Sequence, residues 1–149
     1  MADRTTSSIV IGVPRTDVMA VIADFGSYPQ WATGVRSADV LTGHANGRPA
    51  TVRFTLDAGI IKDSYVLGYE WDGDSHVRWN LAETGSMVTE MTGGYHLADD
   101  PGGTEVTYEL TVGTRVPMIG MIRRKAEKTI IDTALKGLRT RAENLRRAR

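Results

Sequence analysis

Cysteine is absent from the 149 residues. That absence removes disulfide frameworks, thiolate nucleophiles, zinc-finger and iron-sulfur ligation and thiol redox chemistry together. No apolar run reaches the length a membrane-spanning helix needs. The first residues hold an acid and no apolar stretch where a secretory signal has its core, so a cytoplasmic location is expected. The three histidines, His44, His76 and His96, are scattered, and no two have the spacing of a metal site on one element. His44 precedes a turn and is expected in solvent, while His76 and His96 alternate with inward residues and are expected to face out. No glycine-rich phosphate loop opens a helix, and no motif suggests a Ser-His-Asp arrangement. Hydrolase and nucleotide-dependent functions are therefore unsupported, and neither a metal nor a cofactor is expected.

What is present is the make-up of one soluble domain. Hydrophobic residues are 41% and charged residues 24%, near the globular average, and the length suits a single core spanning residues 1–149. The net charge of zero hides an asymmetry: eight basic against fifteen acidic residues through Val116, then ten against three from Pro117 onward. The first reading of that basic segment is a helix whose cations offset its macrodipole and solvate its outer face. The second is a surface for an anionic membrane or an acidic partner. Aromatics are not interleaved with the cations there, so nucleic acid is not an expected partner.

Along the chain, residues 4–12 read as a strand, and a helix follows with Pro14 at its start, Asp17 in its first turn and Val18, Val21 and Ile22 on one face. Gly26 breaks it, and a short turn around Pro29 brings Tyr28 and Trp31 to a corner. From Val35 to Val116 turn residues recur at short intervals, giving five or so antiparallel strands. Alternation puts Tyr65, Leu67, Tyr69 and Trp71 on one face, with Val77, Trp79 and Leu81 repeating the pattern. A three-residue loop over 72–74 would pair Trp71 with Ser75, Tyr69 with Val77 and Leu67 with Trp79. A four-residue turn within 99–103 would set Leu97 beside Val106 and Tyr95 beside Tyr108. Gly93 and Gly94 suggest a bulge or sharp bend. Pro117 to about Leu145 reads as one long helix with an apolar stripe including Met118, Ile119, Met121, Ile122, Ala126, Ile130, Ala134, Leu138 and Leu145. A strongly bent sheet gripping that helix is the simplest packing.

At this point the chain resembles the START-like, helix-grip superfamily (SRPBCC), in its polyketide cyclase/dehydrase and coenzyme-Q-binding branch. The resemblance rests on Ala23-Asp-Phe-Gly-Ser-Tyr-Pro-Gln-Trp31, on residues 57–71, on Gly103-Thr-Glu-Val-Thr-Tyr-Glu-Leu110, and on the helix from Pro117 through Arg123-Arg-Lys-Ala-Glu127. It implies an α+β helix-grip fold: a strongly curved antiparallel sheet wrapped around a long C-terminal helix, with two short helices after the first strand. It also implies a hydrophobic ligand such as a lipid, quinone or polyketide, held between sheet and helix.

Alternation points Phe54, Tyr65, Tyr69, Trp79, Tyr95 and Tyr108 inward, with Met91, Met118 and Ile122 nearby. These nine, with Trp31, are the candidate ligand-binding residues. Buried tyrosine hydroxyls without partners are costly, so water or a polar ligand group is expected to reach them. Asp63 shares the inward face and is the one candidate catalytic residue. Either it is a pocket acid whose pKa burial raises, or it stands at the mouth in water. Arg53 alternates to the opposite face and is not expected to pair with it. Three functions follow: binding or carriage of a hydrophobic small molecule, a polyketide cyclase/dehydrase-type enzyme using pocket Asp, Tyr or Arg, or an interaction module docking through the basic helix.

Overall fold

A computed structural model describes residues 4–58, 61–116 and 119–148. The β-branched run at the start forms strand β1 (Thr5–Ile11), and the chain then crosses through helix α1 (Arg15–Ala23), a 3-10 turn (Phe25–Ser27) and the single turn α2 (Tyr28–Trp31). Val18, Met19, Val21 and Ile22 are the buried face of α1. Six strands follow, one more than the turn signals predict: β2 (Val35–Gly43), β3 (Pro49–Ala58), β4 (Ile61–Asp72), β5 (His76–Glu83), β6 (Val88–Asp100) and β7 (Gly103–Thr114). Helix α3 (Gly120–Arg147) closes the chain.

The sheet order is β1-β7-β6-β5-β4-β3-β2, and every neighbouring pair is antiparallel. β2 to β7 form a meander of successive hairpins, and the helical crossover carries the chain from one sheet edge to the other. Leu97 lies opposite Val106 and Tyr95 opposite Tyr108, as the turn predicts. The β4–β5 hairpin differs. Its loop is residues 73–75, closed by Asp72 and His76, so Trp71 faces Val77, Tyr69 faces Trp79 and Leu67 faces Leu81. Gly73 takes a φ of 53°, which moves the turn one position along. The slip is even, so every side chain keeps its expected face.

The bulge expected at Gly93 and Gly94 lies elsewhere, between Val88 and Glu90, and the two glycines pair in regular register with Leu110 and Glu109. Their smallness serves close approach instead. A Cβ on Gly93 would stand 2.6 Å from Cζ2 of Trp79, so the bare backbone makes room for the indole.

α3 lies along β1, fastened near both ends. Glu127 accepts the Thr5 hydroxyl at 2.6 Å, and Glu143 accepts the Gly12 N–H at 2.8 Å. Sixteen residues of helix rise about 24 Å, and the seven of the strand rise about 23 Å, so the two elements match in length. The sheet-facing stripe is Glu127, Ile131, Leu135, Leu138 and Ala142. This corrects the expected stripe: Met121, Ile122, Ile130 and Leu145 are exposed. A carboxylate occupies one inward position, so hydropathy alone rotates the choice of face. Among the described residues no helix is long and apolar enough to cross a membrane.

Candidate functional site

The concave face of the sheet is paved with rings. Phe54 on β3, Tyr65 and Tyr69 on β4, Trp79 on β5, Tyr95 on β6 and Tyr108 on β7 are all buried, and so is Met91. The rings form a continuous row. Tyr95 and Tyr108 are 4.6 Å apart edge to face, each is 5.5 Å from Trp79, and Trp79 is 5.8 Å from Tyr69. Phe54 stacks on Tyr65 at 6.0 Å. Phe25, from the 3-10 turn, caps the row 4.9 Å from Tyr69 and 5.9 Å from Phe54. Sequence reasoning passes over Phe25, because a residue in a helical crossover carries no alternation signal.

This wall is less completely covered than the rest of the core. Its seven residues each keep 5–8% of their surface accessible, whereas Ile11, Val18, Ile22, Ile131 and Leu138 keep none. The polar ends on the wall are also unpartnered. Tyr28 donates its hydroxyl to the Ile22 carbonyl at 2.6 Å, but the hydroxyls of Tyr65, Tyr69, Tyr95 and Tyr108 have no hydrogen-bond partner among the described residues. The Trp79 indole N–H has none either. Burial pushes the four hydroxyls well above the ordinary tyrosine pKa, so at physiological pH they are neutral donors and not bases. An unmet buried donor costs about 1–3 kcal/mol; the Trp79 N–H is one on this wall, whereas the four unpartnered hydroxyls belong to its accessible part.

Asp63 lies on the inward face as alternation requires, but it is neither a raised-pKa acid nor a carboxylate in water. Oδ1 accepts from the Ser64 and Ser86 amides and the Ser86 hydroxyl, and Oδ2 from the amides of Met87 and Val88, all at 2.7–3.0 Å. Burial alone would raise its pKa, yet the amides of Val88, Met87, Ser86 and Ser64 outweigh it and bring the carboxyl down to about 2. Gly85 lets the β5–β6 connection close on the carboxylate, since a Cβ there would stand 2.2 Å from Oδ2. Asp63 is thus an anchor for that loop. Arg53 faces outward, 3.9 Å from Glu83.

The remaining candidates are dispersed. Trp31 is half-buried against Tyr28 at 4.7 Å. It lines a separate groove of about 550 Å³ between α2 and α3, shared with Gln30, Lys136, Thr140 and Arg141. Its ring packs where Gly137 leaves space on α3. Ile122, expected near the pocket, is 54% exposed because the first turns of α3 extend beyond the core. Met118 lies outside the described residues. His44 is half-buried, not free in solvent, and its Nε2 is 2.8 Å from the Tyr69 carbonyl. His76 and His96 stand opposite each other on the outer face, rings 5.7 Å apart.

Two polar groups on α3 escaped the sequence reading. Glu127 is buried, with Oε1 receiving Thr5 and Oε2 the Val112 N–H at 2.7 Å. Its signal was available: an acid in step with Ile131, Leu135 and Leu138. One turn earlier, the half-buried Arg123 has its Nε enclosed without a partner.

Comparison with known proteins places this geometry. No curated protein sequence matches the chain. The solved structures do. A START superfamily protein from Mycobacterium smegmatis superposes with a TM-score of 0.87 at 18% identity, covering 95% of this chain and 98% of that one. A protein from Thermus thermophilus gives 0.78 at 22%, covering 96% and 99%. The Zhui aromatase/cyclase from Streptomyces sp. R1128 gives 0.75 at 15%, covering 99% and 96%. At such identities the likeness is one of fold, and it confirms the START-like helix grip. The model of one family, polyketide cyclase/dehydrase and lipid transport, matches residues 2–148, and this chain is a member of it.

Proposed function

We propose that the protein binds a small apolar molecule carrying several oxygen acceptors, held between the ring-paved concave face and α3. One observation carries this reading. Four tyrosine hydroxyls and the buried Trp79 N–H have no hydrogen-bond partner among the described residues, on a wall that keeps residual accessible surface. A purely aliphatic lipid would leave those donors unmet, whereas a quinone, a phenolic ring system or a poly-ketone would satisfy them. The donors are neutral and Asp63 is saturated, so this set of groups holds and orients carbonyls without taking protons from the ligand. Binding, or carriage between sites in the cytoplasm, is the function these groups serve best, with Phe54, Tyr65, Tyr69, Trp79, Met91, Tyr95 and Tyr108 as its residues.

A second reading, a cyclase/dehydrase, is kept by the family and by the aromatase/cyclase among the neighbours. In it Tyr95 and Tyr108, 4.6 Å apart, hold adjacent carbonyls of a folded poly-ketone. The experiment is native mass spectrometry of the purified protein, followed by solvent extraction and mass identification of what is released. An oxygenated apolar compound released from the protein supports binding. A protein that carries nothing and also fails to bind an apolar fluorescent probe has a filled wall, and the reading is wrong.

A further inference from the structure

The four most exposed large apolar side chains among the described residues are Val116, Ile119, Met121 and Ile122, each 54–79% exposed. They stand together where the chain leaves β7 and enters α3. Met87, 36% exposed, joins them, because its carbonyl accepts the Arg115 N–H at 2.8 Å. Exposed apolar residues scattered singly need no explanation, but a cluster does. Around it lie Arg115, Arg123, Arg124 and Lys125, with no acid between Arg115 and Glu127. Arg123, Arg124 and Lys125 have no ion-pair partner among the described residues.

The arrangement is ordered by depth. Successive helical residues are about 100° apart, so Met121, Ile122, Arg124 and Lys125 share the sector opposite the inward Arg123 and Glu127. The apolar pair leads, and the cationic pair follows three residues later, about 4.5 Å further along the axis. Helical side chains tilt toward the start of the helix, which splays Met121 and Ile122 toward the protruding end. A groove on a protein partner would call for one apolar stripe running along the helix. An apolar tip with a cationic collar behind it instead matches a layered partner, hydrocarbon below and phosphate above.

We infer that this end of the protein, Met87, Val116, Ile119, Met121 and Ile122 with Arg124 and Lys125 behind them, docks on the surface of an anionic lipid bilayer. The basic tail at the far end of α3 is not the docking element. The surface works independently of what the concave face binds.

The test is co-sedimentation of the full-length protein with vesicles of phosphatidylcholine alone or of equal parts phosphatidylcholine and phosphatidylglycerol. Binding is expected to the anionic vesicles only, and to weaken as salt rises. Each cation near such a surface contributes about fivefold, so Arg124→Gln with Lys125→Gln weakens binding about 25-fold. Met121→Ser with Ile122→Ser also weakens it, and circular dichroism remains that of the wild type because these side chains are exposed. The control is Lys136→Gln with Arg147→Gln, which removes the same charge at sites about 16 Å or more up the helix, beyond a Debye length of about 8 Å. That variant binds nearly as the wild type does. No sedimentation with anionic vesicles at low salt overturns the inference. An equal loss from the two charge variants, with none from Met121→Ser/Ile122→Ser, overturns it as well.

Discussion

Replacing Asp63 with asparagine separates an anchoring carboxylate from a catalytic one. The wild-type carboxyl is held at about 2, against an ordinary value of 3.8. At about 1.36 kcal/mol per pH unit this is roughly 2.4 kcal/mol, which the carboxylate's place near the surface reduces to about 1–2 kcal/mol through solvent screening. Asparagine adds a second penalty. Both carboxylate oxygens accept N–H groups, Oδ1 those of Ser64 and Ser86 and Oδ2 those of Met87 and Val88. A side-chain NH2 must therefore point at donors, at about 1–3 kcal/mol for what is left unmet. Asp63→Asn is thus expected to lose about 2–5 kcal/mol at pH 7. For a domain of this size, that is roughly 5–20 °C in Tm.

The pH dependence carries the sign. A depressed carboxyl contributes stability that is fully present above its unfolded pKa and lost as pH falls through the folded one. The gap between wild type and variant should therefore be constant above about pH 4 and shrink between roughly pH 4 and 2. The assay is urea unfolding at a series of pH values, with apolar-probe binding measured alongside. Equal stability of the two proteins at neutral pH would refute the anchoring argument. So would loss of ligand binding or turnover with stability unchanged, which would return Asp63 to the site.

Tyr95→Phe and Tyr108→Phe remove unmet hydroxyls, so each variant should unfold at the same urea concentration or a higher one, while binding of an oxygenated apolar ligand weakens about 3–10-fold per hydroxyl, the worth of one hydrogen bond. A stability loss in either variant would mean the hydroxyl has a protein partner. Glu127→Ala leaves the Thr5 hydroxyl and the Val112 amide without their acceptor, and about 2–4 kcal/mol of stability should go with it, read by thermal melting. Glu127→Gln, which keeps one acceptor oxygen, should recover part of that loss. Gly93→Ala places a methyl 2.6 Å from the Trp79 ring and from the Glu109 carbonyl. An overpacking loss of about 1–3 kcal/mol is expected, with a shift in tryptophan emission.

What could be read ahead of the structure was what depends on neighbouring residues. The β6–β7 register followed from the turn between residues 99 and 103, because a hairpin's length is written in its own loop. The β4–β5 loop was misplaced by one residue, and the inward row of Tyr65, Tyr69 and Trp79 survived because a slip of two keeps every side chain on its face. What needed distant partners was not legible. Alternation gives the face of Asp63 and leaves it either a pocket acid or a carboxylate at the mouth, whereas its fate is decided by amides 23 to 25 residues away. The buried face of α3 was rotated because its first fully buried member, Glu127, is charged, and the groups that accommodate it come from β1 and β7.

The pairing of β1 with β7 sets the order in which this sheet can be completed. Thr5 lies opposite Leu110 and Ile11 opposite Thr104, so the first strand waits for a partner made about a hundred residues later, while β2 to β7 assemble from hairpins closed by short loops. Loop closure over such a span is costly and slow. On the ribosome the first strand emerges long before β7 exists, and the helix that fastens both of its ends, through Glu127 and Glu143, is made later still. The meander can therefore form before α3 exists, whereas the closed grip, and any compartment between sheet and helix, comes into being only once that helix has been made.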